Sequence, residues 1–120
     1  MEYTTEQLEQ MLKSDNWAVR EEVAHQGYGL NILVNDYDWI VRKVVAEQGY
    51  GLDILVNDED IDVRLAVAKQ GYGLDILIND KEKWVRKEVA HQGYGLDILV
   101  NDEDWRVRAV AKQMLSKKGN

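Results

Sequence analysis

Apolar side chains return along this chain in a fixed figure. Val19 and Val23 stand four apart with Ala24 beside them, and Leu30, Leu33 and Val34 follow at i, i+3 and i+4. Both spacings belong to one face of a helix, so each figure predicts two helical pieces. The first runs from Trp17 to Gln26 and stops at Gly27, a residue type that readily takes the left-handed conformation of a helix end. Tyr28 bridges to Gly29, and a short second helix, α or 3₁₀, starts at Leu30. Ile32 adds a fourth apolar position to it. A buried strand over Ile-Leu-Val is set aside, because the Leu30/Leu33 spacing is helical and a strand would alternate. Asn35-Asp36 closes the figure as a turn.

The figure recurs with a step of 22 residues, giving units 17–38, 39–60, 61–82 and 83–104. Thirteen of the 22 positions are identical in all four: Val19, Arg20, Val23, Ala24, Gln26, Gly27, Tyr28, Gly29, Leu30, Ile32, Leu33, Asn35 and Asp36 in the first. Asn16, Asp38, Asp60 and Asp104 stand just before the longer helix, where a side-chain oxygen can accept from free backbone N–H groups. Glu82 holds that place in the fourth unit and is a poorer cap. A helix this short does not persist alone in water, so each must bury its apolar face on its neighbours. The expected fold is an all-α solenoid, one repeat domain over 1–120.

Both ends carry modified units. Residues 1–16 form an N-terminal cap that keeps only the second helix, with Leu8, Met11 and Leu12 at the places of Leu30, Leu33 and Val34. Residues 105–120 form a C-terminal capping helix. There Met114 and Leu115 replace the Gln and Gly of the stop, and Lys117 and Lys118 suit its negative end.

The phrase Val19-Arg20-x-x-Val23-Ala24, then Leu30-x-x-Leu33, then Asn35-Asp36, resembles the leucine-rich repeat variant family and, in pattern, HEAT-like helical repeats. The resemblance covers the four units directly and the caps loosely. It implies a right-handed superhelix in which an α-helix alternates with a short second helix, and it implies little about activity, since such arrays mostly bind proteins or have no assigned role. Two departures limit it. Family units usually carry proline before the second helix, where this chain has Gly-Tyr-Gly. The cysteine-ligated iron–sulfur region of one family member does not carry over, because this chain has no cysteine.

Composition narrows the function classes. The chain is 45% hydrophobic and 31% charged, as folded soluble proteins are. Its 22 acids against 15 bases give a net charge of −7, which argues against nucleic acid or an anionic membrane as a direct partner. The charge is uneven: residues 1–60 carry 13 acids and 4 bases, net −9, and residues 61–120 carry 9 acids and 11 bases, net +2. The absence of cysteine removes disulfides, thiol nucleophiles and Cys-ligated metals. Met1 to Glu6 lack the basic and apolar regions of a signal peptide, and no apolar run approaches the ~20 residues of a membrane span. A cytoplasmic protein without metal or cofactor is expected.

The recurring polar residues read as scaffold. Arg20, Arg42, Arg64, Arg86 and Arg108 are expected to form a ladder with Asp36, Asp58, Asp80 and Asp102, or with the Asp38-type carboxylates, of a neighbouring unit. Gln26, Gln48, Gln70 and Gln92 would satisfy carbonyls at helix ends. Tyr28, Tyr50, Tyr72 and Tyr94 would wedge between units. His25 and His91 lie three units apart, roughly 30 Å at about 10 Å per unit, and cannot share a metal or a reaction. No Ser/His/Asp set, HExxH or phosphate loop is present. Asn35-Asp36-Tyr37-Asp38 lacks the central glycine and distal glutamate of a calcium loop. The expectation is a non-enzymatic protein.

Positions that vary between units are free to serve a partner. On the longer helix these are 18, 21, 22 and 25 and their counterparts, taken as outward-facing. Ile40, Val44, Leu65 and Trp84 are apolar where other units are charged, and Tyr37 could extend the set along the turn edge. Trp84 stands beside Lys83, which occupies the place of Trp17, Trp39 and Trp105; it either anchors a partner or fills the gap that Lys83 leaves. The expected function is a protein-binding scaffold with an exposed helix ridge, apolar anchors and a charged rim. Two alternatives stand beside it: an acidic mimic of nucleic acid that inhibits a basic protein, and an idealised structural array with no dedicated partner.

Overall fold

Residues 2–118, described by a computed structural model, form ten α-helices and no strand. Met1, Gly119 and Asn120, the outermost positions of the two caps, lie outside the described residues. The helices are α1 (Thr5–Leu12), α2 (Trp17–His25), α3 (Leu30–Leu33), α4 (Trp39–Glu47), α5 (Leu52–Leu55), α6 (Ile61–Lys69), α7 (Leu74–Leu77), α8 (Lys83–His91), α9 (Leu96–Leu99) and α10 (Trp105–Lys118). Nine-residue helices thus alternate with single turns. The single turns are α-helical, since Leu33 N–H donates to the Gly29 carbonyl four residues back at 3.0 Å.

Helix ends follow local chemistry. Asn16, Asp38, Asp60 and Asp104 each accept from the backbone N–H two residues on, at 2.8 to 2.9 Å. Glu82, with one methylene more, makes no such bond at the start of α8. The longer helices stop one residue before Gln26 and its counterparts, which serve as C-caps. Gly51 and Gly73, ahead of α5 and α7, hold φ of +65° and +67°. A Cβ on Gly73 would meet Val56 Cγ2 at 2.6 Å, so the second glycine also brings one helix pair close to the one before.

Packing joins consecutive pairs. The longer helices touch in series, α2 on α4, α4 on α6, α6 on α8 and α8 on α10, and each single turn packs on the long helix before it and the one after. The result is elongated, 53 × 28 × 19 Å. Its core is one continuous column. Val23, Val45, Val67 and Val89 are fully buried, and Leu33, Leu55, Leu77 and Leu99 nearly so. At the ends, Leu8, Met11 and Leu12 of α1 and Met114 of α10 cover the column while half exposed themselves.

Two expectations need correction. Val44 does not face outward; it is 2% exposed. α4 is gripped by α2 on one flank and α6 on the other, and its apolar arc spans Val41, Val44 and Val45, wider than one face. In α2 and α8 the same place holds Glu22 and Glu88, half-buried. The tyrosines do not wedge deeply either. Tyr50, Tyr72 and Tyr94 are 41 to 42% exposed, at the rim of the Gly-Tyr-Gly turns.

Candidate interaction surface

A clamp repeats through the interior edge of the stack. Arg42 donates from Nε to Asp58 Oδ2 at 2.8 Å and from Nη2 to Asp58 Oδ1 at 3.2 Å. Its Nη1 donates to the backbone carbonyl of Asp36 at 2.6 Å. Asp58 Oδ1 also accepts from the Asp60 N–H at 2.9 Å, at the start of the next long helix. The carboxylate therefore comes from the arginine's own 22-residue unit, 16 residues on, and the preceding unit supplies a carbonyl. The expected pairing with a neighbouring unit's carboxylate is thus corrected: the ion pair is internal to the unit, and the guanidinium reaches the neighbouring unit through the Asp36 carbonyl. Arg20 with Asp36, Arg64 with Asp80 and Arg86 with Asp102 repeat the geometry. Arg108 keeps only the carbonyl half, to Asp102 O at 2.7 Å. The four paired guanidinium groups hold their protons more tightly than a free arginine, chiefly through the aspartate hydrogen bond and against the opposing effect of burial. Among the described residues no buried side-chain nitrogen or oxygen lacks a hydrogen-bond partner, so each nitrogen of the paired guanidinium groups is engaged within the chain.

The long-helix layer carries exposed aromatic groups. Trp17 and Trp39 are 41% and 38% exposed, and with Ile40 and Lys43 they line a groove between α2 and α4 whose floor is Val44. Leu65, half-buried, lines the next groove, between α4 and α6, among Lys43, Glu47, Asp62 and Lys69. Trp84 is exposed on α8 with three cations over its ring: Lys83 Nζ at 5.4 Å, Lys87 Nζ at 5.5 Å and Arg106 Cζ at 5.5 Å. Trp39 and Ile40, then Leu65, thus fall in successive grooves of the long-helix layer, and Trp84 stands exposed on α8 two long helices beyond α4. Tyr37 stands apart at the turn edge, 79% exposed, with the Arg20 guanidinium 4.7 Å from its ring centre.

The short-helix layer holds a surface that the sequence pattern concealed. Ile32, Ile54, Ile76 and Ile98 are 57, 52, 48 and 61% exposed, although identical in all four units. Identity at helical spacing reads as core, yet Leu30, Leu33 and Val34 already fill the inner side of a one-turn helix. A residue two places after Leu30 lies about 200° round the axis.

Among the described residues no group of three or more His, Cys, Asp or Glu side chains is placed to hold a metal ion, and no helix is long and apolar enough to cross a membrane. No protein-family model matches the chain, and no similar curated protein is found.

Proposed function

We propose that this chain is a non-enzymatic, cytoplasmic protein-binding scaffold, a right-handed α-solenoid of four 22-residue repeats with modified ends. The partner lies across the long-helix layer. The observation that carries this reading is the groove where Trp17, Trp39 and Ile40 meet between α2 and α4, continued by Leu65 in the following groove and by the exposed Trp84 on α8. Large aromatic side chains held half-open among charged neighbours give a partner both apolar area and orientation. Val44 contributes as the groove's floor and offers no side chain to the partner.

The test is capture of partners on the immobilised protein at about 100 and about 500 mM salt, where screening separates charge-driven from apolar contact. The wild-type protein is expected to retain a partner at both salts, and the Trp39→Ala/Trp84→Ala variant to lose it with its helical circular dichroism intact. An unchanged partner set in that variant would sink the reading. The net charge of −9 over residues 1–60 favours a second reading, an acidic mimic of nucleic acid. A partner lost at the higher salt and indifferent to both tryptophans would support that one instead.

A further inference from the structure

Repeat identity separates what the fold needs from what it does not. Exposed positions where the fold is indifferent have diverged freely: His25, Glu47, Lys69 and His91 share one place, and Tyr37, Glu59, Lys81 and Glu103 another. Ile32 and Asn35 and their counterparts are as exposed, yet identical in all four units. The asparagines do nothing visible for the chain. None has the positive φ that would favour Asn, and none makes a side-chain hydrogen bond among the described residues. The isoleucines leave about half their surface in water. The two sets share one surface: Asn57 of one unit lines the same shallow groove as Ile76 and Asn79 of the next. Beside the last three isoleucines stand Asp53, Asp75 and Asp97, exposed and without ion pairs, and the flanking turns add Lys81 and the acids Glu59 and Glu103, which reach Arg42 at 3.9 Å and Arg86 at 3.6 Å.

We propose that the short-helix face binds an extended, lysine- or arginine-rich peptide lying along the stack, with one apolar and one basic side chain in every three residues. The spacing sets the period. Successive helix pairs stand about 10 Å apart, and one three-residue turn of polyproline II chain rises about 9 Å and returns every third side chain to the same face. Each Asn carboxamide offers one acceptor and two donors, enough to hold a backbone N–H and C=O whatever the side chain. Each isoleucine takes an apolar side chain, and Asp53, Asp75 and Asp97 each take a cation. This surface lies on the layer opposite the tryptophan grooves and is independent of them.

The test measures fluorescence anisotropy of a labelled synthetic peptide of four Lys-Leu-Ser triplets, beside a peptide of the same composition with the triplet period broken. At about 150 mM salt, where exposed charges are largely screened, the triplet peptide is expected to bind at least about tenfold more tightly. Asn57→Ala/Asn79→Ala removes unpartnered exposed amides, so folding should be untouched, and binding should fall at least about tenfold, as the loss of four hydrogen bonds, two at each amide, implies. Ile54→Ser/Ile76→Ser should weaken it similarly. Trp39→Ala/Trp84→Ala should leave it unchanged; loss there would place the peptide on the other layer and overturn the proposal. Equal binding of both peptides, or unaltered binding by the asparagine variant, would overturn it too. So would a concentration-dependent dimer in sedimentation that Ile54→Ser/Ile76→Ser abolishes and the peptide does not disturb, because the occupant would then be a second copy of this chain.

Discussion

Arg42 and Asp58 form a two-pronged pair, Nε to Oδ2 at 2.8 Å and Nη2 to Oδ1 at 3.2 Å, with side chains only 10% and 8% exposed. Because Arg42 also holds the Asp36 carbonyl and Asp58 also caps the Asp60 N–H, the pair ties together two turns and a long helix. Removing the carboxylate leaves a buried guanidinium without its counter-charge. Asp58→Ala is therefore expected to cost roughly 3 kcal/mol in urea unfolding. Arg108 has no carboxylate to lose, and Arg108→Ala should cost only about 1 kcal/mol with its single carbonyl bond. Equal losses for the two variants would show that the aspartate half of the clamp contributes little.

The two glycines of each turn should respond differently to alanine. Gly71 holds φ +75° with its nearest neighbour, Gln92 Oε1, 3.7 Å from an added Cβ. Gly71→Ala should therefore cost only the left-handed strain of an L-residue, about 1 kcal/mol. Gly73 adds a collision with Val56 Cγ2 at 2.6 Å, so Gly73→Ala should cost about 3 kcal/mol. Val56→Ala removes the colliding methyl. A double-mutant cycle should then show positive coupling between Gly73→Ala and Val56→Ala; additive losses would mean that the close approach is not what selects glycine.

The start of α8 is open to improvement. Glu82 has the extended backbone of a cap, φ −99° and ψ 122°, but no side-chain bond to the helix. At the same place Asp60 accepts from the Asp62 N–H at 2.8 Å. Glu82→Asp shortens the side chain to that reach and is expected to stabilise the protein by about 0.5–1 kcal/mol. Thermal melting of the single variant checks it, and an unchanged or lower midpoint counts against it.

How far these features were legible depends on how local their causes are. Caps, glycine stops and the alternation of long and short helices follow from neighbouring residues, and the 22-residue step displayed each several times. Val44 was misplaced because the width of an apolar arc depends on how many neighbours grip the helix, which no window of sequence contains. The Ile32 column was hidden by its own regularity. An apolar residue repeated in every unit resembles core until the single turn's other apolar residues are seen to fill the interior. The Arg42 clamp was half legible: the recurrence of Asp58 in step with Arg42 was visible, and the buried Asp36 carbonyl that completes it was not.

Tyr28 differs from Tyr72 and Tyr94 through one methylene on the neighbouring unit. Glu9 of α1 occupies the repeat position of Asn31, Asp53 and Asp75, and its longer side chain accepts the Tyr28 hydroxyl. That hydrogen bond, then partial desolvation and the carboxylate's charge, raise the pKa of Tyr28 above the ordinary phenol range near 10. The neutral, protonated phenol is the form the fold holds. Its contribution is thus fully present below about pH 10 and is lost as pH rises through the raised folded value. Glu9→Ala should lower the Tyr28 midpoint, followed by nuclear magnetic resonance of its ring, and should make stability less sensitive to pH above about 10. A midpoint that does not move would detach Tyr28 from Glu9. Asp53→Glu extends the same contact, since the longer carboxylate should reach the Tyr72 hydroxyl, and a small gain in thermal midpoint over the wild type would show it.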